Sequence, residues 1–305
     1  MPTVSVQVPA TTSNIGSGFD CIGAAFTLYN QFTYQVAADS DSPLTIAVTG
    51  IEAPRVKTDD SNLAYQSFLR LYQHIGQTPP AVKMAIALGV PLSRGLGSSA
   101  TAIVGGLVGA NVLAGSPLSQ AEIMELAITI EGHPDNVVPA LLGGCRLAAV
   151  DHQQWAICDI PWHTEVVPIV AIPDFEVSTA EARRVLPSQY SRADAIFNVS
   201  HLGLLIRGLE TGQGDWLRVA MDDRIHQPYR QSLIQGYEAV RSAALTAGAY
   251  GLVISGAGPT LLTLAHPTQA AAVEAAMTQA WTEQGVTVEV KALELNRQGA
   301  IVAEG

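Results

Sequence analysis

Apolar and polar residues are arranged along the chain in short segments of two kinds, which together predict an α+β fold. Residues 3–8 alternate with a period of two, as strands do, and the runs 30–37 and 44–49 are also strand-like. Residues 62–75 instead repeat their apolar positions every three to four residues, which predicts an amphipathic helix. Mixed strands and helices of this kind pack as layers around an apolar core.

A glycine-rich segment follows a predicted strand at residues 81–88 and leads into a helix of small apolar residues. Its sequence is P-L-S-R-G-L-G-S-S-A over residues 91–100. Free N–H groups and the helix dipole favour an anion at a helix N-terminus, and glycines let phosphate oxygens approach the main chain. Ser98 and Ser99 add hydroxyls that can cap the helix, bind a phosphate or face a metal ion. The segment predicts a phosphate-binding loop.

Other interpretations of this loop are open on its residues alone. The P-loop pattern is excluded, because no lysine follows Gly97. Gly95, Gly97 and Ala100 match a variant of the dinucleotide fingerprint, which would make the chain an NAD-binding oxidoreductase. The segment would also suit a tight turn and a helix cap with no ligand.

Three further segments concentrate polar residues or glycines between predicted elements. Residues 10–20 form a polar loop that holds Asn14 and Asp20. The sequence H-P-D-N at residues 133–136 places a histidine, a carboxylate and an amide within four positions. A glycine turn lies between two strand-like runs within residues 251–260. Each segment would serve as an ordinary connection, but polar loops on a rigid frame also form ligand walls.

A second domain is predicted to begin at residue 166, which divides the chain into domains of residues 1–165 and 166–305. The second domain opens on a buried strand-like run, and a capping box at residues 178–181 starts a short helix that carries Arg183. Arg230 precedes a longer amphipathic helix. Arginines at helix ends are usually surface charges, so these two are functional only if an anion lies between them.

Composition limits the partners and the location of the chain. It has 305 residues, 48% of them hydrophobic and 14% charged, and a formal net charge of −11, which argues against nucleic acid and anionic membranes as partners. The three cysteines, Cys21, Cys145 and Cys158, lack metal-site spacing, so we expect reduced thiols in a cytoplasmic protein. No signal peptide is predicted. The longest apolar run, residues 102–115, falls short of the ~20 residues that span a bilayer.

Three motifs, in order along most of the chain, resemble those of the GHMP family of small-molecule kinases. They are V-P-A-T-T-S-N-I-G-S-G-F-D at residues 8–20, P-L-S-R-G-L-G-S-S-A at 91–100 and I-S-G-A-G-P-T at 254–260. The stretches E-G-H-P-D-N-V-V-P-A at 131–140 and S-T-A-E-A-R at 178–183 resemble the branch of the family that phosphorylates L-homoserine. An ordered set of this kind is far more specific than any single glycine motif.

The resemblance implies a two-domain α+β fold, with an N-terminal nucleotide-binding domain and a C-terminal ferredoxin-like α/β sandwich. It implies ATP and Mg2+ as cofactors and L-homoserine as substrate, and it is compatible with a homodimer. The nucleotide would lie over the loop formed by Pro91, Leu92, Ser93, Arg94, Gly95, Leu96, Gly97, Ser98, Ser99 and Ala100.

Ser99 and Glu125 are the magnesium ligands that the resemblance implies, because hard oxygen ligands beside phosphates suit this ion. Glu131 is the competing carboxylate. Glu125 is preferred, since it lies on the polar face of a helix predicted over residues 119–131.

Homoserine carries an ammonium and a carboxylate, and the resemblance implies a group of opposite charge for each. Asn14 and Asp20 would bind the ammonium, while Arg183 and Arg230 would bind the carboxylate. Gly256 completes the implied substrate site.

The acceptor hydroxyl would lie near His133 and Asn136, which together with Asp20 are the candidate catalytic residues. Asp135 is a further candidate base, unless it caps its own helix. Phosphoryl transfer depends mainly on alignment and charge stabilisation, so we expect that no single residue is an indispensable base. One alternative is a kinase of the same family that acts on another acceptor. A second alternative is a non-catalytic sensor of kinase ancestry, and such a sensor should have lost Ser99, Glu125 or the arginines.

Overall fold

Two β-sheets organise the chain in the computed structural model, which describes residues 3–37, 42–152 and 154–304. The strands are β1 (Thr3–Ser13), β2 (Ile22–Val36), β3 (Leu44–Thr49), β4 (Val82–Ala87), β5 (Cys145–Asp151), β6 (Gln154–Ile160), β7 (Val167–Pro173), β8 (Gly251–Ile254), β9 (Leu261–Ala265), β10 (Val288–Ala292) and β11 (Ile301–Glu304). The helices are α1 (Leu63–His74), α2 (Ser98–Leu113), α3 (Gln120–Glu131), α4 (Pro134–Leu142), α5 (Thr179–Arg184), α6 (Arg192–Thr211), α7 (Gly214–Ala220), α8 (Gln227–Arg230), α9 (Tyr237–Thr246) and α10 (Pro267–Glu283). Short 3-10 helices lie at Ala53–Arg55 and Gln231–Leu233.

The first sheet has the strand order β11-β1-β2-β4-β3, and β5 extends it by pairing with β2 and β6. Strand β1 runs beyond the predicted end at residue 8, because the register shift between Pro9 and Ala10 accommodates the proline without ending the strand. The alternating side chains before it are buried, and so are Thr11, Thr12 and Ser13 after it. Part of the segment predicted as a loop is therefore strand, and it carries a row of buried hydroxyls into the interior.

The second sheet has the order β10-β7-β9-β8 with antiparallel pairing throughout. Taken in chain order, its strands and intervening helices form the β-α-β-β-α-β arrangement of ferredoxin-like domains. Helices α9 and α10 pack on this sheet through a core that includes Val240, Met277 and Trp281. The ferredoxin-like sandwich predicted for the C-terminal half is present.

The two sheets share part of their cores, and the chain crosses between them twice. Phe26 of β2 meets Trp162 edge to face, with ring centroids 6.5 Å apart, in a cluster that also contains Leu262 of β9. Strand β11 returns to the first sheet and pairs antiparallel with β1. The predicted division between residues 165 and 166 stays a prediction, but the last strand lies with the N-terminal sheet.

Helix α2 is buried among the strands and helices of the N-terminal half. Side chains added at Gly105 and Gly106 would lie 2.3 Å from the Phe32 ring and 2.2 Å from the Ala64 carbonyl oxygen. Small residues therefore let α2 pack directly on the sheet and on α1, which fixes where its N-terminus points. Across the part of the chain that the structure describes, no helix has both the length and the apolar character needed to cross a membrane.

Candidate active site

A cavity of about 600 Å³ is lined by segments from both halves of the chain. The end of β1, the loop before α2 and the start of α4 contribute from one half, and α5, Arg230 and the turn after β8 from the other. The cavity brings together most of the predicted site residues: Asn14, Asp20, Leu92, Ser93, Arg94, Gly95, Gly97, Ser98, Ser99, His133, Asn136, Arg183, Arg230 and Gly256.

The glycine loop closes against both neighbouring motifs, and its glycines make this approach possible. Gly95 and Gly97 have φ values of 78° and 67°, in the left-handed region that favours glycine. A Cβ at Gly95 would lie 2.2 Å from the carbonyl oxygen of Ser255, and one at Gly97 would lie 1.9 Å from Oγ1 of Thr11. The N-terminus of α2 is thereby held at the cavity, with its unpaired N–H groups in place for an anion.

Three residues of the predicted nucleotide loop lie outside the cavity lining. Ala100 is fully buried in the core of the N-terminal half, Leu96 is fully buried in the cluster that both halves share, and Pro91 is half-buried beside the loop. Apolar side chains at these positions anchor the loop, so their role is to hold its shape. The guanidinium of Arg94 is also buried, and it points towards backbone carbonyls of the other half of the chain.

The carboxylate of Glu131 lies beside the hydroxyl of Ser99. Ser99 Oγ donates a hydrogen bond to Oε2 of Glu131 over 3.1 Å. Burial raises the pKa of the Glu131 carboxyl, although His133 and Ser99 partly oppose this effect. A desolvated carboxylate next to a hydroxyl, with no Lys or Arg within 4.0 Å of it among the described residues, is suited to a hard cation.

The structure does not bring Glu125 to Ser99, which corrects the choice made from the helical pattern. Glu125 is exposed on α3 and lies outside the cavity. Glu131 lies six positions after Glu125, and six steps turn the helix by about 600°, which places the two side chains about 120° apart around the axis. The polar face of α3 is therefore turned to solvent, and its C-terminal residue reaches the cavity.

His133 and Asp135 form a pair at the N-terminus of α4. Their Nδ1 and Oδ1 atoms are 2.8 Å apart, and this hydrogen bond raises the pKa of His133. Asp135 is 2% exposed, and its carboxylate bonds the imidazole and makes no capping hydrogen bond to the described residues of its own helix. When His133 is neutral and donates from Nδ1, its Nε2 keeps a lone pair for another group.

The Asn136 amide is fixed by two hydroxyls of β1. It accepts a hydrogen bond from Thr11 Oγ1 over 2.8 Å and donates one to Ser13 Oγ over 3.0 Å. Strand β1 therefore carries side chains that position α4, which explains why the hydroxyl row past Pro9 is buried.

Opposite charges meet across the two halves at the other end of the cavity. Arg183 donates from Nη1 and Nη2 to the two carboxylate oxygens of Asp20, both over 3.1 Å. Asn14 has a φ of 61°, accepts from the Asp20 N–H over 2.8 Å and donates to the Gly256 carbonyl over 2.9 Å. Asn14 therefore sets the position of Asp20, and the Gly256 carbonyl accepts hydrogen bonds from both Asn14 and Arg230.

Arg230 is buried beside this pair, with 2% of its surface exposed. It donates from Nε to the Ala182 carbonyl over 3.1 Å and from Nη1 to the Gly256 carbonyl over 3.0 Å, and its guanidinium lies 5.0 Å from the Phe19 ring centroid. Burial lowers the pKa of Arg230, and the charge of Arg183 adds to that effect. A buried cation of this kind is a strong partner for a ligand anion.

Family models match both halves of the chain. The model of the GHMP kinases N terminal domain matches residues 62–144, and that of the GHMP kinases C terminal domain matches residues 205–283. The chain belongs to the GHMP kinase family.

Curated relatives and solved structures agree with this membership. The homoserine kinase of Trichormus variabilis is 67% identical over 298 residues, which cover 98% of each chain. That of Trichodesmium erythraeum is 65% identical over 301 residues, covering 99% of this chain and 98% of its own. The crystal structure of homoserine kinase from Cytophaga hutchinsonii superposes with a TM-score of 0.89 at 28% identity, over 99% and 97% of the two chains. A mevalonate kinase from L. major shares the fold, with a TM-score of 0.73 at 16% identity over 95% of each chain.

Membership confirms the predicted two-domain α+β fold, the predicted kinase and its use of ATP. It excludes the NAD-binding oxidoreductase, because the matched family is one of kinases. The sheet topology agrees, since β4 before the glycine loop is parallel only to β3 and the other described strand pairs of its sheet are antiparallel, whereas dinucleotide folds use a parallel sheet.

Several side chains of this GHMP kinase site were not singled out from the sequence. Arg55 and Lys57 line the cavity beside the glycine loop, although neither belongs to a recognised motif. His226 and Asp223 are buried next to Arg230, and burial lowers the pKa of His226 to about 4. Asp223 Oδ2 accepts from the N–H of His226 over 2.7 Å. Asp223 and His226 lie in the connection between α7 and α8, where no local pattern in the sequence indicates that they are buried and must find partners.

Proposed function

We propose that this kinase transfers the γ-phosphoryl group of ATP to the side-chain hydroxyl of L-homoserine, giving O-phospho-L-homoserine and ADP in threonine biosynthesis. The observation that carries this proposal is the 57–67% identity to homoserine kinases over nearly the full length of both chains. A cavity with opposite charges at one end and a glycine loop at the other suits a zwitterionic acceptor and a nucleotide.

The acceptor would bind where Asp20 and Arg183 now pair with each other. Its ammonium would take the place of Arg183 at the Asp20 carboxylate, and its carboxylate would bind Arg183 and Arg230. Charge-assisted bonds of this geometry are directional as well as strong, which favours one small zwitterion over neutral alcohols. Asn14 and Gly256 support the site through the position of Asp20 and through a carbonyl acceptor.

ATP would lie along the part of the cavity between α1 and the glycine loop. Val56, Leu63, Ile86 and Leu88 give this part an apolar lining, which suits a purine base. The triphosphate would meet the N–H groups at the start of α2 and the hydroxyls of Ser98 and Ser99.

Ser99 and Glu131 are the residues that would hold Mg2+, because they place a hydroxyl and a desolvated carboxylate together at the phosphate end. The ion would supply charge neutralisation at the phosphoryl oxygens. Glu125 is no longer proposed, because its side chain is exposed outside the cavity.

His133, Asn136 and Asp20 would orient the acceptor hydroxyl, and of these three only the His133 imidazole and the Asp20 carboxylate could accept its proton in the course of transfer. We propose that orientation is their main contribution, since a loose phosphoryl-transfer transition state needs little help from a base. The His133–Asp135 pair offers an Nε2 lone pair if a proton acceptor is used.

Release of ADP with L-homoserine, mevalonate and galactose as acceptors tests the proposal directly. Turnover with L-homoserine well above that with the other two is expected. Preference for mevalonate or galactose would contradict the acceptor while leaving the kinase assignment intact. We also infer a cytoplasmic location, which fits the free thiols of the cysteines. The homodimer stays a prediction, which sedimentation of the purified chain measures.

A further inference from the structure

Arg94 belongs to the glycine loop, yet its guanidinium makes most of its contacts with the other half of the chain. It donates from Nε to the Pro173 carbonyl over 3.0 Å and from Nη2 to the Asp174 carbonyl over 3.1 Å. Its Nη1 lies 2.8 Å from Oε1 of Glu176 and donates to the Leu92 carbonyl over 3.0 Å. All three guanidinium nitrogens of Arg94 therefore have acceptors that belong to the protein itself.

A second arginine and a second carboxylate complete this cluster. Glu52 accepts from the N–H of Leu92 over 2.6 Å and lies 3.9 Å from Nη2 of Arg94. Arg55 pairs with Glu52 over 2.6 Å and also with Glu176. Two positive and two negative groups give the cluster no net charge. Arg94 therefore adds rigidity to the loop and little positive potential to the phosphate end.

The segment that Arg94 holds leads directly to the acceptor end of the cavity. Residues 174–177 follow β7 and reach Ser178, whose side chain caps the N-terminus of α5 by accepting from the Glu181 N–H. Arg183 lies in the last turn of this short helix and meets Asp20. The Arg94 guanidinium thus links the glycine loop to Pro173, and the short segment from Pro173 to Arg183 leads from there to the acceptor arginine.

We propose that Arg94 is a positioning residue that fixes the nucleotide loop and the segment leading into α5 to each other, so that ATP and the acceptor are held in mutual alignment. The acceptor part of this inference rests on the proposed function. The nucleotide part rests only on membership of a kinase family. A guanidinium suits the task, because its planar fork binds several acceptors in fixed directions, whereas an ammonium is a point charge.

The test uses the full chain carrying Arg94→Gln or Arg94→Lys, with Arg70→Gln as the matched control. Arg70 is exposed on α1 and bonds only Gln73 among the partners that the structure gives it. Calorimetric titration measures the Kd for ATP with Mg2+ in the absence of acceptor, steady-state rates give the KM for L-homoserine, and thermal unfolding reports stability.

Both Arg94 variants are expected to raise the Kd for ATP and the KM for L-homoserine by about tenfold or more, which is about 1.4 kcal/mol for each. The Arg70 variant should leave both constants unchanged. Lysine should fail to rescue, because one ammonium cannot replace the bonds to two strand-end carbonyls and a carboxylate. A purely structural role would lower the unfolding temperature and leave both constants of the folded enzyme as they were.

Three results would overturn the proposal. They are unchanged constants in Arg94→Gln, rescue by lysine, and a change confined to ATP, which would mean that Arg94 contacts the nucleotide itself. If Arg94→Gln does not fold, Glu176→Gln decides, since it removes one half-exposed partner of the guanidinium. A smaller rise in both constants then supports the proposal and no change rejects it. Failure of the wild-type chain to phosphorylate L-homoserine would contradict the proposed function alone, because the ATP titration still tests Arg94.

Discussion

Replacing Arg183 and Arg230 separately distinguishes a binding role from a structural one, because the two arginines differ in burial. Arg183 is 41% exposed and pairs with Asp20, which is 35% exposed. Ion pairs in such positions contribute about 0.2–1 kcal/mol to stability. Arg183→Gln should therefore lower the free energy of unfolding by less than about 1 kcal/mol. Loss of a charge-assisted bond to the acceptor carboxylate should still cost about 1.5–3 kcal/mol of binding.

Arg230→Gln should reduce both stability and binding. The Gly256 carbonyl would keep its bond from Asn14, but the Ala182 carbonyl would lose the Arg230 donor. A buried acceptor left unpaired costs about 1–3 kcal/mol, so we expect a destabilisation of that size. The homoserine KM should rise about 10- to 100-fold in both variants, at about 1.4 kcal/mol per tenfold.

Arg184→Gln is the matched control, because Arg184 follows Arg183 on α5 but is 78% exposed and faces Glu181. Coupled assays of ADP release at saturating ATP give the KM values, and urea unfolding gives the stabilities. The KM for ATP should change little in all three variants. An unchanged homoserine KM in Arg183→Gln, or an equal rise in Arg184→Gln, would refute the carboxylate-binding role.

Three further predictions concern the rest of the site. Glu131→Gln should raise the Mg2+ concentration for half-maximal rate about 10- to 100-fold, as expected for one lost charged contact, whereas Glu125→Gln should have no effect; equal effects would contradict Glu131 as a ligand. Asp135→Asn should lower the pKa of His133, measured by NMR titration, because their hydrogen bond raises that pKa above 6.5. The variant should lose more stability near pH 6 than near pH 9. A histidine whose pKa is raised by folding stabilises the fold at a pH below that pKa, and this contribution is lost as the pH rises through the pKa. Asp20→Asn and His133→Gln should each retain measurable turnover at saturating substrate, and a selective fall in kcat of about 10⁴-fold, the upper end for a general base, would identify that residue as an indispensable base.

The pattern of residues predicted the elements well where one face of an element is buried. Residues 62–75 were predicted as a helix, and α1 covers Leu63–His74. The prediction ended β1 too early, because a proline usually stops a strand and nothing local indicates a bulge. The buried face of Thr11–Ser13 depends on α4, which is more than a hundred residues away in sequence.

The sequence motifs predicted which segments would line the cavity. The differences from the structure concern which side chains of those segments point into it. A helical pattern identifies the polar face of α3, but it cannot tell which end of that helix approaches α2. Glu131 was therefore ranked below Glu125. The pairing of Asp20 with Arg183 joins residues 163 positions apart, and no local rule gives such a contact. The nucleotide role of Arg94 stays a prediction, but no local rule indicated that its guanidinium would also bond the carbonyls of Pro173 and Asp174 in the other half of the chain.

The charges around the cavity explain how a chain with a net charge of −11 can bind ATP. Arg55 and Arg94 are neutralised by Glu52 and Glu176, and the acceptor arginines lie at the opposite end. Among the described residues that line the nucleotide part of the cavity, Lys57 is the cation for which no ion pair within 4.0 Å is found. One exposed lysine and the N–H groups of α2 fall well short of the charge of a triphosphate. We therefore expect most of the compensation to come from the proposed Mg2+, so the rate should depend steeply on the concentration of divalent metal and only weakly on any single basic side chain.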